Sequence, residues 1–172
     1  FWNDENNKKY NEAYFQKFPG VWHHGDYISI SRSGGVKIFG RSDTTLNPGG
    51  VRIGTAEIYQ TVERFEEVED SLVIGQPWDN DERIILFVKI KNGHEMSDEL
   101  TQSIQTSIKK SCSPRHVPKK IIPIKEIPYT INGKKVELAV KHTIQDIEIK
   151  NKDSLANPEV LDYYKDMVEL TT

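Results

Sequence analysis

A chain of 172 residues holds one domain of ordinary size, or one domain with a fragment of a neighbour. Its 23 basic and 26 acidic residues leave a net charge of −3, too even for a general nucleic-acid surface, and no stretch reaches the roughly 18 apolar residues of a membrane span. The single cysteine, Cys112, excludes an internal disulfide and every multi-cysteine zinc site.

The opening residues, Phe1-Trp2-Asn3-Asp4-Glu5-Asn6, lack the charged-then-apolar layout of a signal peptide, so a reducing, cytoplasmic setting is the expectation. Because the chain begins at Phe1 rather than Met, it reads as a piece of something longer. A helix is predicted over about Lys8–Phe18, stopped by Pro19-Gly20. Tyr27–Ser31 and Val36–Phe39 alternate polar and apolar residues around Ser33-Gly34-Gly35, the pattern of a β-hairpin. Between Gly40 and Gly54, glycines and Pro48 break up short polar stretches, which suits a junction between two rigid bodies.

Beyond the junction, Glu57–Glu66 is predicted as a helix with Ile58, Val62 and Phe65 on one side. Ser71–Gly75 and Arg83–Ile90 follow as strands, and the unbroken run Ile84-Ile85-Leu86-Phe87-Val88 predicts burial on both faces. Ser97 caps a second helix carrying Leu100, Ile104 and Ile108 at i, i+4 spacing, with Asp98 and Glu99 in its first turn. A strand at Lys120–Ile124 precedes a turn-rich loop, then a helix over about Lys135–Ile147 with Val136, Ala139, Val140, Thr143, Ile144 and Ile147 on one stripe. Asn157-Pro158 opens a terminal helix. Elements in this order give a compact α+β domain over about residues 55–147, whereas the first forty residues are too few to close a core alone.

Three stretches can carry chemistry. Pro128-Tyr129-Thr130-Ile131-Asn132-Gly133-Lys134-Lys135 presents Lys134 at the tip of a stiff turn near a helix start, where an anion would relieve the clash between its charge and the helix dipole. Taken alone, the loop is better accounted for by an ordinary solvated lysine. Gly40 to Gly54 supplies Arg41 and Arg52, whose forks suit phosphate or ribose oxygens, and Gly49-Gly50, which let a slim group pass near the backbone. A plain glycine-rich connection with paired arginines is the alternative. Trp22-His23-His24-Gly25-Asp26 sets a carboxylate before a strand, able to accept two ribose hydroxyls or merely to stabilise a turn. Lys109, Lys110, Arg115, His116, Lys119 and Lys120 form the strongest local charge asymmetry, either a solvated face or a dock for a polyanion. The histidines are scattered or adjacent, and a protein-held metal is not expected.

Taken together and in this order, the stretches resemble the C-terminal part of an adenylate-forming acyl-CoA synthetase. Tyr14-Phe15, Pro19-Gly20-Val21, the loop Ile127–Glu137 and the tail Ser154-Leu155-Ala156-Asn157-Pro158-Glu159 extend the likeness through nearly all the chain. The resemblance implies an α+β fold: a mobile C-terminal lid domain over 43–150 with a mixed sheet and flanking helices. It further implies the end of a large N-terminal domain over 1–42 and a tail helix over 151–172. By position it implies that Asp26 binds the ATP ribose, with Arg41 beside it and Arg52 near the nucleotide phosphates. Asp43 falls at the hinge, Gly49 and Gly50 flank the pantetheine arm of coenzyme A, and Lys109 and Arg115 are candidates for its nucleotide. The resemblance likewise implies that Lys134 is the lysine required for adenylation.

The implied reaction joins a short-chain acid, acetoacetate, to coenzyme A through an acyl-adenylate, consuming ATP with its Mg2+ and releasing pyrophosphate and AMP. The phosphate-binding loop and acyl pocket belong to the large N-terminal domain, so the implied partner is that domain, and the chain alone is expected to be inactive. A different short-chain acyl-CoA synthetase, or a free-standing binding or regulatory module without catalysis, are the alternatives.

Overall fold

The computed structural model describes residues 1–149 and 152–172. The chain divides into two compact units, Phe1–Ser42 and Asp43–Thr172, so the division falls within the glycine-rich junction. The expected boundary between 150 and 151 lies outside the described residues. Among the described residues, no helix is long and apolar enough to cross a membrane.

In the first unit, α1 (Lys8–Tyr14) precedes a hairpin of β1 (Asp26–Ile30) and β2 (Val36–Arg41). The helix stops short of the predicted Phe18 because its last turn closes at Phe15, whose N–H donates to the Asn11 carbonyl. Aromatic rings rather than a core hold this unit: Tyr10 meets Tyr14 edge to face and tilts against Phe15, and Trp22 tilts on Tyr14 at 5.4 Å. Cross-strand pairing sets Ile28 opposite Ile38 and Ile30 opposite Val36, and all four are more than half exposed. An apolar ladder of this kind is a surface that normally meets another surface.

The second unit is built on a mixed sheet in the order β3 (Val68–Trp78), β4 (Asp81–Ile90), β5 (Lys120–Pro123), with β3–β4 antiparallel and β4–β5 parallel. Side chains alternate across the central strand with period two. Ile84, Leu86 and Val88 face one cluster with α2 (Thr55–Val62) and α3 (Asp98–Ser111), through Ile58, Val62, Leu100, Ile104 and Ile108. Ile85 and Phe87 face the other, with α4 (Glu137–Ile144) and the C-terminal segment, through Val140, Val160, Leu161 and Tyr164. Phe87 and Tyr164 meet edge to face at 4.9 Å. Both faces of β4 are therefore covered, as its unbroken apolar run requires.

Further expectations need correction in extent or type, among them the predicted helix Glu57–Glu66, which runs from Thr55 to Val62. Strand β3 continues past Gly75 to Trp78, because an edge strand tolerates Pro77 and because glycine at 75 leaves room for the Glu82 carboxylate, with which a Cβ would collide. Helix α4 begins at Glu137 rather than Lys135: Lys135 is still in a β-bridge with Tyr129, and Val136, at φ −119° and ψ 63°, is not helical. It ends at Ile144, leaving Ile147 about half exposed. The terminal segment forms 3₁₀ turns, Pro158–Tyr164 and Val168–Leu170, instead of an α-helix. Three residues per turn stack Leu161 and Tyr164 on one side, both buried against the sheet, and Lys165, in an extended conformation, ends the run.

Candidate functional site

The lysine loop is tied down on several sides. Thr130 donates its N–H to the Lys134 carbonyl at 2.8 Å, Lys134 returns its N–H to Thr130 Oγ1 at 3.0 Å, and Gly133 closes the turn on the Thr130 carbonyl at 2.8 Å. The Tyr129 hydroxyl donates to Asp70 on β3, and the chain after 153 runs alongside, with Ile131 donating to the Ser154 carbonyl at 3.0 Å. On this support Lys134 is exposed, and no described ion pair or hydrogen bond engages its ammonium. Lys135 is the opposite case: its Nζ lies 2.5 Å from Glu63, 2.7 Å from Asp70 and 2.7 Å from the Ser71 carbonyl. Burial, then the bond to Asp70, pushes the Tyr129 phenol upward.

The glycine loop is organised by the β3–β4 turn. Gly49 donates its N–H to both Asp81 carboxylate oxygens at 3.0 Å, and Asn47 donates to Glu82 Oε1 at 2.7 Å. Gly49 has φ 58°, and a Cβ there would come within 3.1 Å of Arg115 Nη1. Gly49, Lys109, Arg115 and Lys119 line one cavity of about 560 Å³, with Asp81 and Arg83 on its wall. Three of the four residues predicted for coenzyme A thus meet, whereas Gly50 and Lys134 are not among those lining it. The basic cluster divides: His116 turns inward, held by Glu57 at 2.9 Å and Ser113 at 2.8 Å, while Lys120 bonds Thr172 Oγ1.

In the first unit Asp26 and Arg41 are paired across the hairpin. Asp26 Oδ2 lies 2.6 Å from His24 Nδ1 and Oδ1 lies 3.8 Å from Arg41 Nη1, which also donates to the His24 carbonyl at 3.1 Å. The two are brought together as a half-buried carboxylate beside a guanidinium, and His24 is a partner that spacing alone did not identify.

Asp43, first residue of the second unit, and Arg52 are both exposed. Asp43 lines a small recess with Glu137 and Lys141. Glu137 accepts from the Tyr59 hydroxyl at 2.9 Å, and Tyr59 accepts from the Val73 N–H at 3.1 Å. Burial raises the Glu137 carboxyl above its ordinary range, opposed by its own backbone N–H, Tyr59 and Lys135, with the Asp43 charge adding to the rise. Burial likewise raises the Tyr59 phenol, and the Glu137 charge adds to it.

Asp81, Glu82 and Arg83 went unread in the sequence because their role depends on the turn folding back over the glycine loop. Lys119 was visible only as one charge in a basic run. Among the described residues no group of three His, Cys, Asp or Glu is placed to hold a metal ion.

Residues 57–134 match the family of AMP-binding enzyme C-terminal domains. The chain is 52% identical to acetoacetyl-coenzyme A synthetase of Rhizobium meliloti (strain 1021) over 170 residues, which are 99% of this chain and 26% of that protein. It is 54% identical over 172 residues to acetoacetyl-CoA synthetase of Gallus gallus, again spanning 26% of the relative. The solved structure of acetoacetyl-CoA synthetase from Streptomyces lividans superposes with a TM-score of 0.88 at 39% identity, covering 100% of this chain and 26% of that one. The chain thus spans about a quarter of the length of the relatives it matches.

Proposed function

We propose that the chain is the mobile lid, hinge and adjoining hairpin of an ATP-dependent acetoacetate–CoA ligase, a reading supported by the match of residues 57–134 to the AMP-binding enzyme C-terminal domains. The choice of acid is supported by the relatives named above, all of them acetoacetyl-CoA synthetases. The observation that carries the reading is the separation of two chemistries on one unit. Lys134 stands exposed on a braced loop, and Gly49, Lys109 and Arg115 gather around a cavity to which it does not contribute.

In the first half-reaction a carboxylate oxygen of acetoacetate attacks the α-phosphorus of ATP, and pyrophosphate leaves. Both reactants are anionic. The Lys134 ammonium, placed between carboxylate and phosphate oxygens, offsets their repulsion and stabilises the charge on the five-coordinate phosphorus. Asp26 holds the ribose hydroxyls and Arg41 steadies it, while Arg52 lies toward the phosphates. Mg2+ enters with ATP and is not placed on residues of this chain. In the second half-reaction the unit turns about Asp43, withdraws Lys134 and presents the Gly49-Gly50 turn. The thiol of coenzyme A, losing its proton, adds to the acyl carbonyl and AMP leaves. Lys109 and Arg115 meet the nucleotide phosphates of coenzyme A through charge-assisted bonds.

The partner of the lid is the remainder of a longer polypeptide, and the exposed Ile28, Ile30, Val36 and Ile38 ladder supports a packing surface for it. The decisive experiment is Lys134→Ala in the full-length protein. Acetoacetate-dependent pyrophosphate exchange should fall by about 10²–10³, with thioester formation from preformed acetoacetyl-adenylate preserved. Equal loss of both half-reactions overturns the assignment.

A further inference from the structure

Asn157 closes the segment beside the lysine loop, and its side chain makes the bonds of a strand. Its Oδ1 accepts from the Tyr129 N–H at 2.9 Å, and its Nδ2 donates to the Ile127 carbonyl at 3.1 Å. Those two groups flank Pro128, which has no N–H to contribute. One residue earlier, Ala156 donates its N–H to the Tyr129 carbonyl at 2.8 Å. Both backbone groups of Tyr129 are thus held by residues 156–157, and Tyr129 leads directly into Thr130, which is bonded to Lys134 in both directions.

We infer that Asn157 is a positioning residue for Lys134, fixing the path of the chain through Pro128 and so the place where the ammonium stands. The inference rests on the adenylation role proposed for Lys134. Of the other anchors, the Tyr129 hydroxyl on Asp70 and Lys135 on Glu63 and Asp70 act through side chains, and the Ile131 N–H on the Ser154 carbonyl holds the backbone beyond Thr130. They leave the backbone entering the loop to Asn157 and Ala156. Only a primary amide of this length supplies the acceptor for Tyr129 and the donor for Ile127 together; aspartate keeps the acceptor alone and alanine keeps neither. A displacement of about 1 Å at a reacting group can lower a rate by about 10².

The test is made in the full-length protein with Asn157→Ala and Asn157→Asp, following both half-reactions and thermal unfolding. For Asn157→Ala, acetoacetate-dependent pyrophosphate exchange should lose about 10- to 100-fold in kcat, with KM for ATP and thioester formation from preformed adenylate within about threefold of the parent. Asn157→Asp should fall between the two, at about 3- to 10-fold in the first half-reaction, and it carries the test alone if the alanine variant does not fold. Unchanged adenylation, or a parallel fall in both half-reactions, overturns the inference and leaves Asn157 a structural residue. Lys134→Ala in the same assays separates the two readings. If it spares adenylation, the proposed function fails and this inference with it; if it abolishes adenylation while the Asn157 variants do not, this inference alone fails.

Discussion

The Lys135 ammonium lies 2.7 Å from an Asp70 carboxylate oxygen and 4.3 Å from the centre of the Tyr59 ring. Its side chain is only 18% exposed. The preceding residue, Lys134, is exposed. A single peptide bond therefore separates a lysine that holds the loop from one that the loop presents. Lys135→Met should destabilise the fold by about 2–4 kcal/mol, because Glu63 and Asp70 then lose their shared counter-charge in a partly buried place. Lys134→Ala should change stability by less than about 0.5 kcal/mol. Urea unfolding of the two variants measures the difference, and similar losses would contradict it.

The edge-to-face contact of Phe87 with Tyr164 joins the central strand to the terminal 3₁₀ turn. Phe87→Ala empties a site with no solvent exposure and should cost about 3–5 kcal/mol, read from the urea midpoint at constant slope.

Arg115→Ala removes a cation from the cavity shared with Gly49 and Lys109. In the full-length protein, KM for coenzyme A should rise about 10- to 100-fold, the equivalent of one charge-assisted bond, and its dependence on salt should weaken. Pyrophosphate exchange should be unaffected. Gly49→Ala should act in the same half-reaction for a different reason. A backbone at φ 58° disfavours a Cβ by about 1 kcal/mol, and the added methyl meets Arg115. A defect in adenylation from either variant would move the cavity out of the second half-reaction.

Glu137 gives stability a definite pH dependence. Its carboxyl is raised in the fold chiefly by burial, so the folded state holds that proton more tightly than the unfolded one. The contribution is fully present below the ordinary value of 4.5 and is lost as pH rises through the raised folded value. Glu137→Gln keeps an acceptor for the Tyr59 hydroxyl without the charge and should flatten this part of the profile. Melting temperatures measured from pH 4 upward test it: an unchanged slope in the variant assigns the dependence to other groups.

The elements with a strong local signal were legible in the sequence. The Ser97 side chain accepts from the Leu100 N–H as its position implied, and Leu100, Ile104 and Ile108 are buried on α3. The run Ile84–Val88 is enclosed on both faces. What local pattern could not disclose were features decided by distant neighbours. Gly75 and Pro77 look like the end of a strand, yet β3 runs through them because it is an edge and because Glu82 needs the space. At the candidate site the loop around Lys134 and the glycine turn stood out by their own chemistry. The bond from Gly49 to Asp81 and the brace from Asn157 join residues 32 and 28 positions apart, and no periodicity reports such pairs.

The segment that seals the Lys134 loop is made after it. A ribosome delivers Pro128 to Lys135 well before Ser154, Ala156 and Asn157, whose groups complete the bonding of that turn. During synthesis the Lys134 amine is present first and its loop is braced only later. On the adenylation role proposed above, a chain interrupted between those points would carry that residue without the bonds that aim it, and newly made protein would gain the first half-reaction only once residues 154–157 have emerged.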